Sequence, residues 1–306
     1  MTSLSIDEQA LPGLSGRTAI ITGGASGIGI ETVKLLVSRG ATVHILDRNA
    51  PKDETGWWQG RSDVHFHPCN VTDWPQLREV VTAIGPFHMA FANAGVAETV
   101  DFFADTRDAE GKLALPESVL EVNFWGVLYV VKLAWSSMRH HHIKGSIVIT
   151  GSTTGYAPEV ALPVYSAGKS ALVGLLRCLR HSTIKDNITV NLVAPAGTAT
   201  PLIAGFVETL SKVGVVFNSP CAVALALVYS ATATQTRRVE AYGKENEADI
   251  WKVERWNGRA IYVIGDKFTE LEESTADLRP FWFGRENHQL VRFQQAALET
   301  ALEAGT

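Results

Sequence analysis

The composition of the chain sets the first limits on its class. It has 306 residues, of which 46% are hydrophobic, and this is enough apolar material for a large buried core. Its formal net charge is -5, and the lack of any basic run in the sequence argues against a nucleic-acid-binding surface.

The cysteines and the apolar stretches indicate the compartment. The three cysteines are far apart and share no metal-ligand spacing, so we expect reduced thiols and no metal site. Residues 1–13 lack the basic and apolar pattern of a secretory signal, which favours a cytoplasmic protein. The most apolar stretch, residues 213–233, is interrupted by Asn218 and Pro220. It therefore predicts a buried helix rather than a membrane span.

Short apolar runs alternate with longer helical patterns along the chain. Seven of these runs read, in chain order, TAIITGG, ATVHILD, VHFHPCNV, FHMAFANAG, GSIVITGS, ITVNLVAP and RAIYVIGD. This cadence predicts right-handed crossovers and a parallel sheet with helices on both faces. We therefore expect one α/β domain over residues 1–306, with a doubly wound core at 16–266 and a C-terminal extension at 267–306.

Three glycines follow the first apolar run and open the next helix. Gly23, Gly27 and Gly29 lack a Cβ, so the backbone can turn sharply there and approach a pyrophosphate. The helix N-terminus then offers free N–H groups to that anion. Asp47 ends the second run, where an acidic residue would accept hydrogen bonds from an adenosine ribose. The spacing predicts a dinucleotide-binding turn, and a tight turn that binds nothing is the alternative.

Several motifs together resemble the short-chain dehydrogenase/reductase family. The glycine spacing is GxxxGxG, ANAG follows the fourth run, and a YxxxK pair begins at Tyr165. The resemblance covers residues 16–266 and implies a single Rossmann-type, doubly wound, parallel seven-stranded sheet with oxidoreductase activity that uses NAD or NADP. The C-terminal sequence, from WNGRAIYVIGD to RPFWFGRENH, is similar to that of members from fungal secondary-metabolite pathways.

A catalytic set is expected around Tyr165 and Lys169. The two lie four residues apart in a helical segment, so they share one face, and the ammonium is expected to lower the pKa of the phenol. Tyr165 would then be the general base in alcohol oxidation or the acid in ketone reduction. Ser152 ends the fifth run, and the resemblance assigns it the hydrogen bond to the substrate oxygen. The resemblance also adds Asn123, which would hold a water that relays protons to Lys169. For the tyrosine and lysine alone, a half-buried tyrosine on an amphipathic helix is the alternative.

Cofactor contacts follow from the same resemblance. Asp47 favours NAD because a carboxylate repels a 2′-phosphate, and Arg48 would offset part of that repulsion, which leaves NADP as the alternative. Asn70 stands where the family has an aspartate against the adenine amine. Thr198 and Thr200 lie in the segment that holds the nicotinamide. The full set of expected contacts is Gly23, Ser26, Gly27, Ile28, Gly29, Asp47, Arg48, Asn70, Val71, Asn93, Ala94, Gly95, Tyr165, Lys169, Thr198 and Thr200.

The segment after the sixth run indicates the substrate class. It reads TPLIAGFVETLSKVGVVF and predicts a helix with one apolar stripe. It begins beside Thr200 and carries Leu202 and Phe206, so it is placed to close over the pocket. We therefore expect a bulky apolar substrate, such as a terpenoid or polyketide-like secondary alcohol or ketone. The alternative for the stripe is that it only covers the sheet.

The alternative for the whole chain is a dinucleotide-binding protein with a mainly non-redox role, as a sensor or as a scaffold that steers another reaction of a bound intermediate.

Two helical stretches carry more apolar residues than one sheet face requires. They cover residues 117–138 and 165–185, and the residues in question are Trp125, Leu128, Tyr129, Leu172, Leu175 and Leu176. By resemblance, these helices pair across a two-fold axis. We therefore expect a homodimer or homotetramer that binds a small-molecule substrate.

Overall fold

A computed structural model describes residues 3–52, 56–239 and 247–304 of the protein, so the last two residues of the expected extension lie outside it. The strands are β1 (Ser3–Leu4), β2 (Thr18–Thr22), β3 (Thr42–Asp47), β4 (Val64–Pro68), β5 (Met89–Ala92), β6 (Ser146–Thr150), β7 (Thr189–Pro195), β8 (Thr234–Gln235), β9 (Glu254–Arg255), β10 (Ala260–Ile264) and β11 (Lys267–Glu270). The α-helices are α1 (Gly27–Ser38), α2 (Trp74–Ile84), α3 (Val127–His140), α4 (Pro163–Lys185), α5 (Ala204–Lys212), α6 (Pro220–Thr232), α7 (Glu247–Ile250), α8 (Glu272–Asp277), α9 (Arg279–Trp282) and α10 (Arg285–Ala304). A π-helical turn, Glu121–Gly126, precedes α3, and 3₁₀ turns span Glu8–Ala10, Thr153–Gly155 and Pro201–Ile203.

The large sheet is the frame of the molecule. Over the described residues its strand order is β1-β11-β10-β7-β6-β5-β2-β3-β4. The seven strands from β10 to β4 pair in parallel, and they are the seven predicted apolar runs. The doubly wound α/β fold is therefore confirmed.

The sheet has two more strands than the sequence predicts. Strand β11 pairs antiparallel with β10, and β1 pairs antiparallel with β11. Gly265 and Asp266 form the two-residue connection between β10 and β11, with φ angles of 56° and 58°. Positive φ at both positions matches the twist that a tight hairpin requires. The C-terminal extension therefore begins as part of the sheet.

Side chains alternate between two core layers along β2. Ile21 belongs to the layer that contains α1 and α6, where Leu36 is fully buried. Ile20 belongs to the opposite layer with α2, α3 and α4, where Leu77 is fully buried. Both faces of the sheet are covered, as the alternating pattern predicts.

The apolar helix α6 begins at Pro220, inside the most apolar stretch of the sequence. The side chain of Ser219 accepts the N–H of Ala222 at 3.2 Å and caps the helix, and Pro220 occupies its first turn. The second part of the apolar stretch therefore forms the expected buried helix, whereas Val213 and Val216 lie before it and are 76% and 64% exposed. Among the helices of the described residues, none has the length and apolar character that crossing a membrane requires.

The expected surplus of apolar residues on the two long helices is only partly present. Leu172 and Leu176 are fully buried in the core of this chain, because α4 packs closely against β7. These two side chains are therefore not left for a partner. Trp125, in the π-helical turn, is 47% exposed. The predicted helix at residues 117–138 also differs in form, because Glu121–Gly126 is a π-helical turn and the regular α-helix begins at Val127.

The parallel strands end at one edge of the sheet, which positions the site. The chain continues from β2 to β3 on one side, whereas from the adjacent β5 it continues to β6 on the other side. Such a reversal opens a crevice at the carboxyl ends of the strands, which is where open α/β sheets bind ligands.

Candidate active site

The glycine turn lies between β2 and α1, at this crevice. Gly23 and Gly27 have φ angles of 64° and 52°, which glycine adopts at no steric cost. A Cβ at Gly29 would stand 2.0 Å from the carbonyl oxygen of Gly23, so the backbone itself excludes a side chain there. Ser26 is exposed and makes no side-chain capping bond at the start of α1, and Ile28 is partly buried in its first turn. The first N–H groups of this helix therefore suit an anion, and the turn fits the pyrophosphate of a dinucleotide.

Asp47 stands beside this turn. Its Oδ2 accepts the N–H of Ala25 at 3.1 Å, and its Oδ1 accepts the N–H of Asn49 at 3.3 Å. Both bonds fix the carboxylate at the end of β3. Arg48, the next residue, is exposed. The structure thus places the predicted acidic residue next to the start of α1.

Asn70 and Val71 follow β4. The Oδ1 of Asn70 accepts the N–H of Thr72 at 3.2 Å, and its second lone pair remains available for a donor such as the adenine amine. Val71 is 7% exposed, and a Cβ at Gly126 would lie 2.8 Å from its Cγ2. This segment therefore packs tightly on the π-helical turn.

Asn93 ties three strands together at their carboxyl ends. Its Nδ2 donates to the carbonyl oxygens of Thr22 and Gly23, each at 3.2 Å. Its Oδ1 accepts the hydroxyl of Thr150 at 3.1 Å. The next residue is also in close contact with the turn, since a Cβ at Gly23 would lie 2.8 Å from the Cα of Ala94. Asn93 therefore uses its polar groups to hold the glycine turn in place.

Asn123 is fully buried in the π-helical turn. Its Oδ1 accepts the N–H of Val96 at 2.8 Å, and its Nδ2 donates to the carbonyl oxygen of Val96 at 2.9 Å. A Cβ at Gly95 would lie 3.3 Å from the same Oδ1. Both ends of the amide thus support the segment after β5, and the proton relay to Lys169 stays a prediction.

Ser152, Tyr165 and Lys169 meet at the end of β6. The Nζ of Lys169 lies 5.5 Å from the centroid of the Tyr165 ring and donates to the carbonyl oxygen of Thr150 at 3.0 Å. The side chain of Ser152 is near enough to the Tyr165 phenol to lower the pKa of that phenol in part. The Oγ of Ser152 also accepts the N–H of Thr154 at 3.2 Å, which caps the 3₁₀ turn that follows. The structure therefore brings three of the four predicted catalytic residues into one cluster.

The pKa of Tyr165 is shifted in the direction opposite to the prediction. Burial raises the pKa of its phenol, and the neighbouring Ser152 side chain offsets this rise only in part. Burial also lowers the pKa of the Lys169 ammonium, to about 8. The expectation that the pKa of the phenol is depressed is therefore wrong for the protein alone, because the loss of water around the buried phenol is the largest cause of its shift.

Glu98 caps the helix that carries Tyr165, a role that no motif in the sequence indicates. Helix α4 starts with Leu162, which has no polar side chain, and Pro163, which has no N–H. The carboxylate of Glu98 accepts the N–H of Tyr165 at 2.7 Å and that of Val164 at 3.4 Å. Its negative charge also suits the positive end of the helix dipole. A helix start without a capping residue was the only signal in the sequence.

Asn218 is a second residue whose role the sequence did not reveal. Its Nδ2 donates to the carbonyl oxygen of Val263 at 2.9 Å, and its N–H donates to the carbonyl oxygen of Gly197 at 2.8 Å. The same Nδ2 lies 3.4 Å from the Oγ1 of Thr198, which is buried. Asn218 therefore fixes the segment after β7 against β10.

The start of α5 lies against the glycine turn, but its own residues face solvent. A Cβ at Gly27 would lie 3.0 Å from the Cγ2 of Thr200, so the two segments are in contact. No residue of α5 is buried, and Leu202 and Phe206 are 50% and 66% exposed. The alternative that this apolar stripe covers the sheet is therefore wrong.

The fold and the turn are those of a dinucleotide-binding α/β enzyme, and known proteins identify its family. Residues 17–210 match the sequence model of the family described as short chain dehydrogenase. The chain is 47% identical to short-chain dehydrogenase/reductase ATR7 of Stachybotrys chlorohalonatus, over 98% of this chain and 94% of that protein. It is 37% identical to (+)-borneol dehydrogenase 1 of Salvia officinalis, over 66% of this chain and 80% of that protein. The chain belongs to the short-chain dehydrogenase/reductase family and is an oxidoreductase that acts on CH–OH groups with NAD or NADP.

A solved structure shows the same fold. The crystal structure of 3-ketoacyl-(acyl-carrier-protein) reductase from Brucella melitensis, complexed with NADH, matches with a TM-score of 0.64 and 22% identity. The match covers 82% of this chain and 98% of that one. At this identity the likeness shows the fold alone.

Proposed function

We propose that the protein interconverts a secondary alcohol and a ketone, with Tyr165 as the general acid and base. The observation that carries this proposal is the cluster of Ser152, Tyr165 and Lys169 at the end of β6. In reduction, the phenol gives its proton to the carbonyl oxygen while Ser152 hydrogen-bonds the same oxygen. In oxidation, the proton moves to the tyrosine. NAD or NADP, when bound, accepts or supplies the hydride.

NAD is the proposed cofactor. The glycine turn and the first N–H groups of α1 would hold the pyrophosphate. The carboxylate of Asp47 would accept hydrogen bonds from the adenosine ribose and repel a 2′-phosphate. Titration of NADH and NADPH by fluorescence tests this preference. We expect the wild type to bind NADH more tightly than NADPH. Asp47→Asn should reduce the difference between the two Kd values. Tighter binding of NADPH to the wild type would contradict the assignment.

The proposed substrate is bulky and largely apolar, such as a terpenoid or polyketide-like alcohol or ketone. The segments after β5 and β7 flank the end of β6, because these two strands are its neighbours. Both segments present apolar side chains: Phe103 and Leu115 are 73% and 84% exposed after β5, and Phe206 is 66% exposed after β7. A substrate that covers such side chains gains from their removal from water. The name of the Salvia relative contains borneol, a terpenoid alcohol, which agrees with this class.

A comparison of two alcohols tests the substrate class. A polycyclic secondary alcohol should have a higher kcat/KM than a sugar alcohol. Phe206→Ala should raise KM for the polycyclic alcohol by about tenfold and leave the Kd of NADH unchanged. Phe293→Ala is the matched control, because Phe293 is 76% exposed on α10. Equal use of the sugar alcohol would contradict the apolar assignment. Tight dinucleotide binding without turnover of any alcohol or ketone would favour the non-redox alternative.

A homodimer or homotetramer is the proposed assembly. Trp125 is 47% exposed, and its ring lies 6.2 Å from that of Tyr129 on α3, so an aromatic surface is open on this side. Light scattering at micromolar concentration should give at least twice the monomer mass. Trp125→Ser should shift the equilibrium towards the monomer, and a monomeric wild type would overturn the proposal.

A further inference from the structure

A buried carboxylate in the C-terminal segment joins two elements of the site. Glu272, in α8, is 1% exposed. Its Oε1 accepts the hydroxyl of Tyr156 at 2.9 Å and the Nη2 of Arg177 at 2.8 Å. Its Oε2 accepts the Nε of Arg177 at 2.9 Å and the Nη1 of Arg180 at 3.1 Å. One carboxylate thus holds three side chains that come from two different parts of the chain.

The C-terminal segment fixes Glu272 in turn. The carboxylate of Glu270 accepts the N–H of Glu272 at 2.9 Å and that of Glu273 at 3.1 Å, so it caps the first turn of α8. Arg259 pairs with Glu270 at 3.4 Å and with Glu273 at 2.6 Å. Burial alone would raise the pKa of Glu272, but the hydrogen bonds and charges of Arg177 and Arg180 outweigh it and hold that pKa below its usual range. The carboxylate is therefore ionised and has a fixed position.

The partners of Glu272 lie on the two pieces of chain that carry the catalytic cluster. Tyr156 directly follows the 3₁₀ turn that Ser152 caps. Arg177 and Arg180 are on α4, the helix of Tyr165 and Lys169.

The turn also rests directly on this helix. A Cβ at Gly155 would lie 2.8 Å from the carbonyl oxygen of Lys169, and the Oγ of Ser170 donates to the carbonyl oxygen of Gly155 at 3.2 Å. The distance between the turn and α4 is thus set by close packing on one side and by Glu272 on the other.

We infer that Glu272 and Tyr156 are positioning residues, through which the C-terminal segment holds Ser152 in register with Tyr165 and Lys169. Buried ion pairs contribute little net stability, because desolvation of the charges offsets their attraction. A role in fixing geometry accounts better for a fully buried carboxylate at this junction. Glu272 lies beyond residues 17–210 that match the family model, so the C-terminal part of this chain supplies the carboxylate and the matched part supplies its three partners. The inference rests on the proposed function, since it assigns a geometry to the same cluster.

Tyr156→Phe tests the inference with the smallest change, because it removes one hydroxyl and leaves the ion pairs in place. Tyr229→Phe is the matched control: Tyr229 lies on α6, in the other core layer, with its ring 5.6 Å from that of Trp256. In Tyr156→Phe, we expect kcat for a polycyclic alcohol to fall about tenfold, with KM and the Kd of NADH changed by less than about twofold. Because Ser152 lowers the pKa of Tyr165, displacement of Ser152 should also move the pH midpoint of alcohol oxidation upward. In Tyr229→Phe neither quantity should change.

Two results would overturn the inference. One is a Tyr156→Phe enzyme with the kcat and pH midpoint of the wild type. The other is unchanged hydrogen exchange at the amides of residues 152–156 in this variant, which is readable without any turnover. If the wild type turns over no alcohol or ketone, the proposed function fails, and the exchange measurement alone then decides whether Glu272 holds the turn. Glu272→Gln, which keeps an acceptor for Tyr156 but removes the charge, should raise exchange at the same amides. An unchanged rate there would also count against the inference.

Discussion

Three stacked histidines on β3 and β4 predict an acid-sensitive stability. The ring centroid of His44 lies 4.7 Å from that of His65 and 5.1 Å from that of His67. The Nδ1 of His44 is 2.9 Å from the Nε2 of His67. Burial first, and then the charges of His65 and His67, lower the pKa of His44 to about 4. Burial, followed by the charge of His65, also lowers the pKa of His67.

The sign and size of the effect follow from these pKa values. Unfolded His44 takes up its proton near the ordinary pKa of 6.5, whereas in the folded protein it does so only near 4. The stability from this residue is therefore complete above pH 6.5 and is lost as the pH falls through 4. At pH 5 the difference corresponds to about 2 kcal/mol, and the partial exposure of the ring reduces this to about 1–2 kcal/mol.

Urea unfolding at pH 7.5 and pH 5.0 measures this contribution. In His44→Gln, residue 44 cannot take up a proton. Between pH 7.5 and pH 5.0, the loss in the free energy of unfolding should therefore be about 1–2 kcal/mol smaller for His44→Gln than for the wild type. His141→Asn is the control, because His141 is exposed at the end of α3 and should behave as the wild type does. The reasoning would be refuted if His44→Gln lost as much stability as the wild type over the same interval.

Three further substitutions test the site. Tyr165→Phe should lower kcat by about 10²- to 10⁴-fold and leave the Kd of NADH nearly unchanged in a fluorescence titration, because it removes only the transferable proton. Gly29→Ala should lower the free energy of unfolding in urea by about 3 kcal/mol, whereas Gly13→Ala, where a Cβ meets nothing within 4 Å, should change it by less than about 0.5 kcal/mol. Glu98→Ala should cost about 1–2 kcal/mol in the same assay and Glu98→Gln about half of that, since an amide oxygen still accepts one N–H; equal losses would contradict the capping role.

The parallel sheet could be predicted because its strands are buried on both sides. All five residues of β6, SIVIT, are buried, so the strand reads as one apolar run between polar turns. Strands β1 and β11 give no such signal. Strand β1 has two residues, of which Ser3 is paired with Thr269, and β11 reads KFTE. Strands β1 and β11 come from distant parts of the sequence and pair at the edge of the sheet. Such pairing depends on the folded protein and leaves no local sequence pattern.

The catalytic residues could be predicted because their spacing is local, whereas the residues that hold them in place lie far away in the sequence. Tyr165 and Lys169 lie one helical turn apart, so a local spacing places them together. Glu98 acts on Tyr165 across 67 residues, Asn218 on Val263 across 45, and Glu272 on Arg177 across 95. Such contacts exist only after the strands have assembled. The pKa of Tyr165 does not follow from the motif for a related reason: burial depends on all the surrounding elements, whereas the motif shows only one charged neighbour.

Burial of the catalytic cluster affects the two directions of the proposed reaction differently, because ketone reduction requires the protonated phenol of Tyr165 and alcohol oxidation requires its phenolate. The raised pKa of the Tyr165 phenol keeps it protonated at neutral pH, and a protonated phenol is the form that donates to a carbonyl oxygen. The protein alone therefore prepares the cluster for ketone reduction. Alcohol oxidation requires the phenolate, which a positive charge would stabilise, yet the pKa of the Lys169 ammonium is lowered to about 8, so about half of that charge is lost at this pH. A more alkaline solution favours the phenolate of Tyr165, but it also removes the positive charge of Lys169. We therefore expect the cluster to act as a base only over a limited range of pH. Its role as an acid extends through the neutral range, where the phenol is protonated.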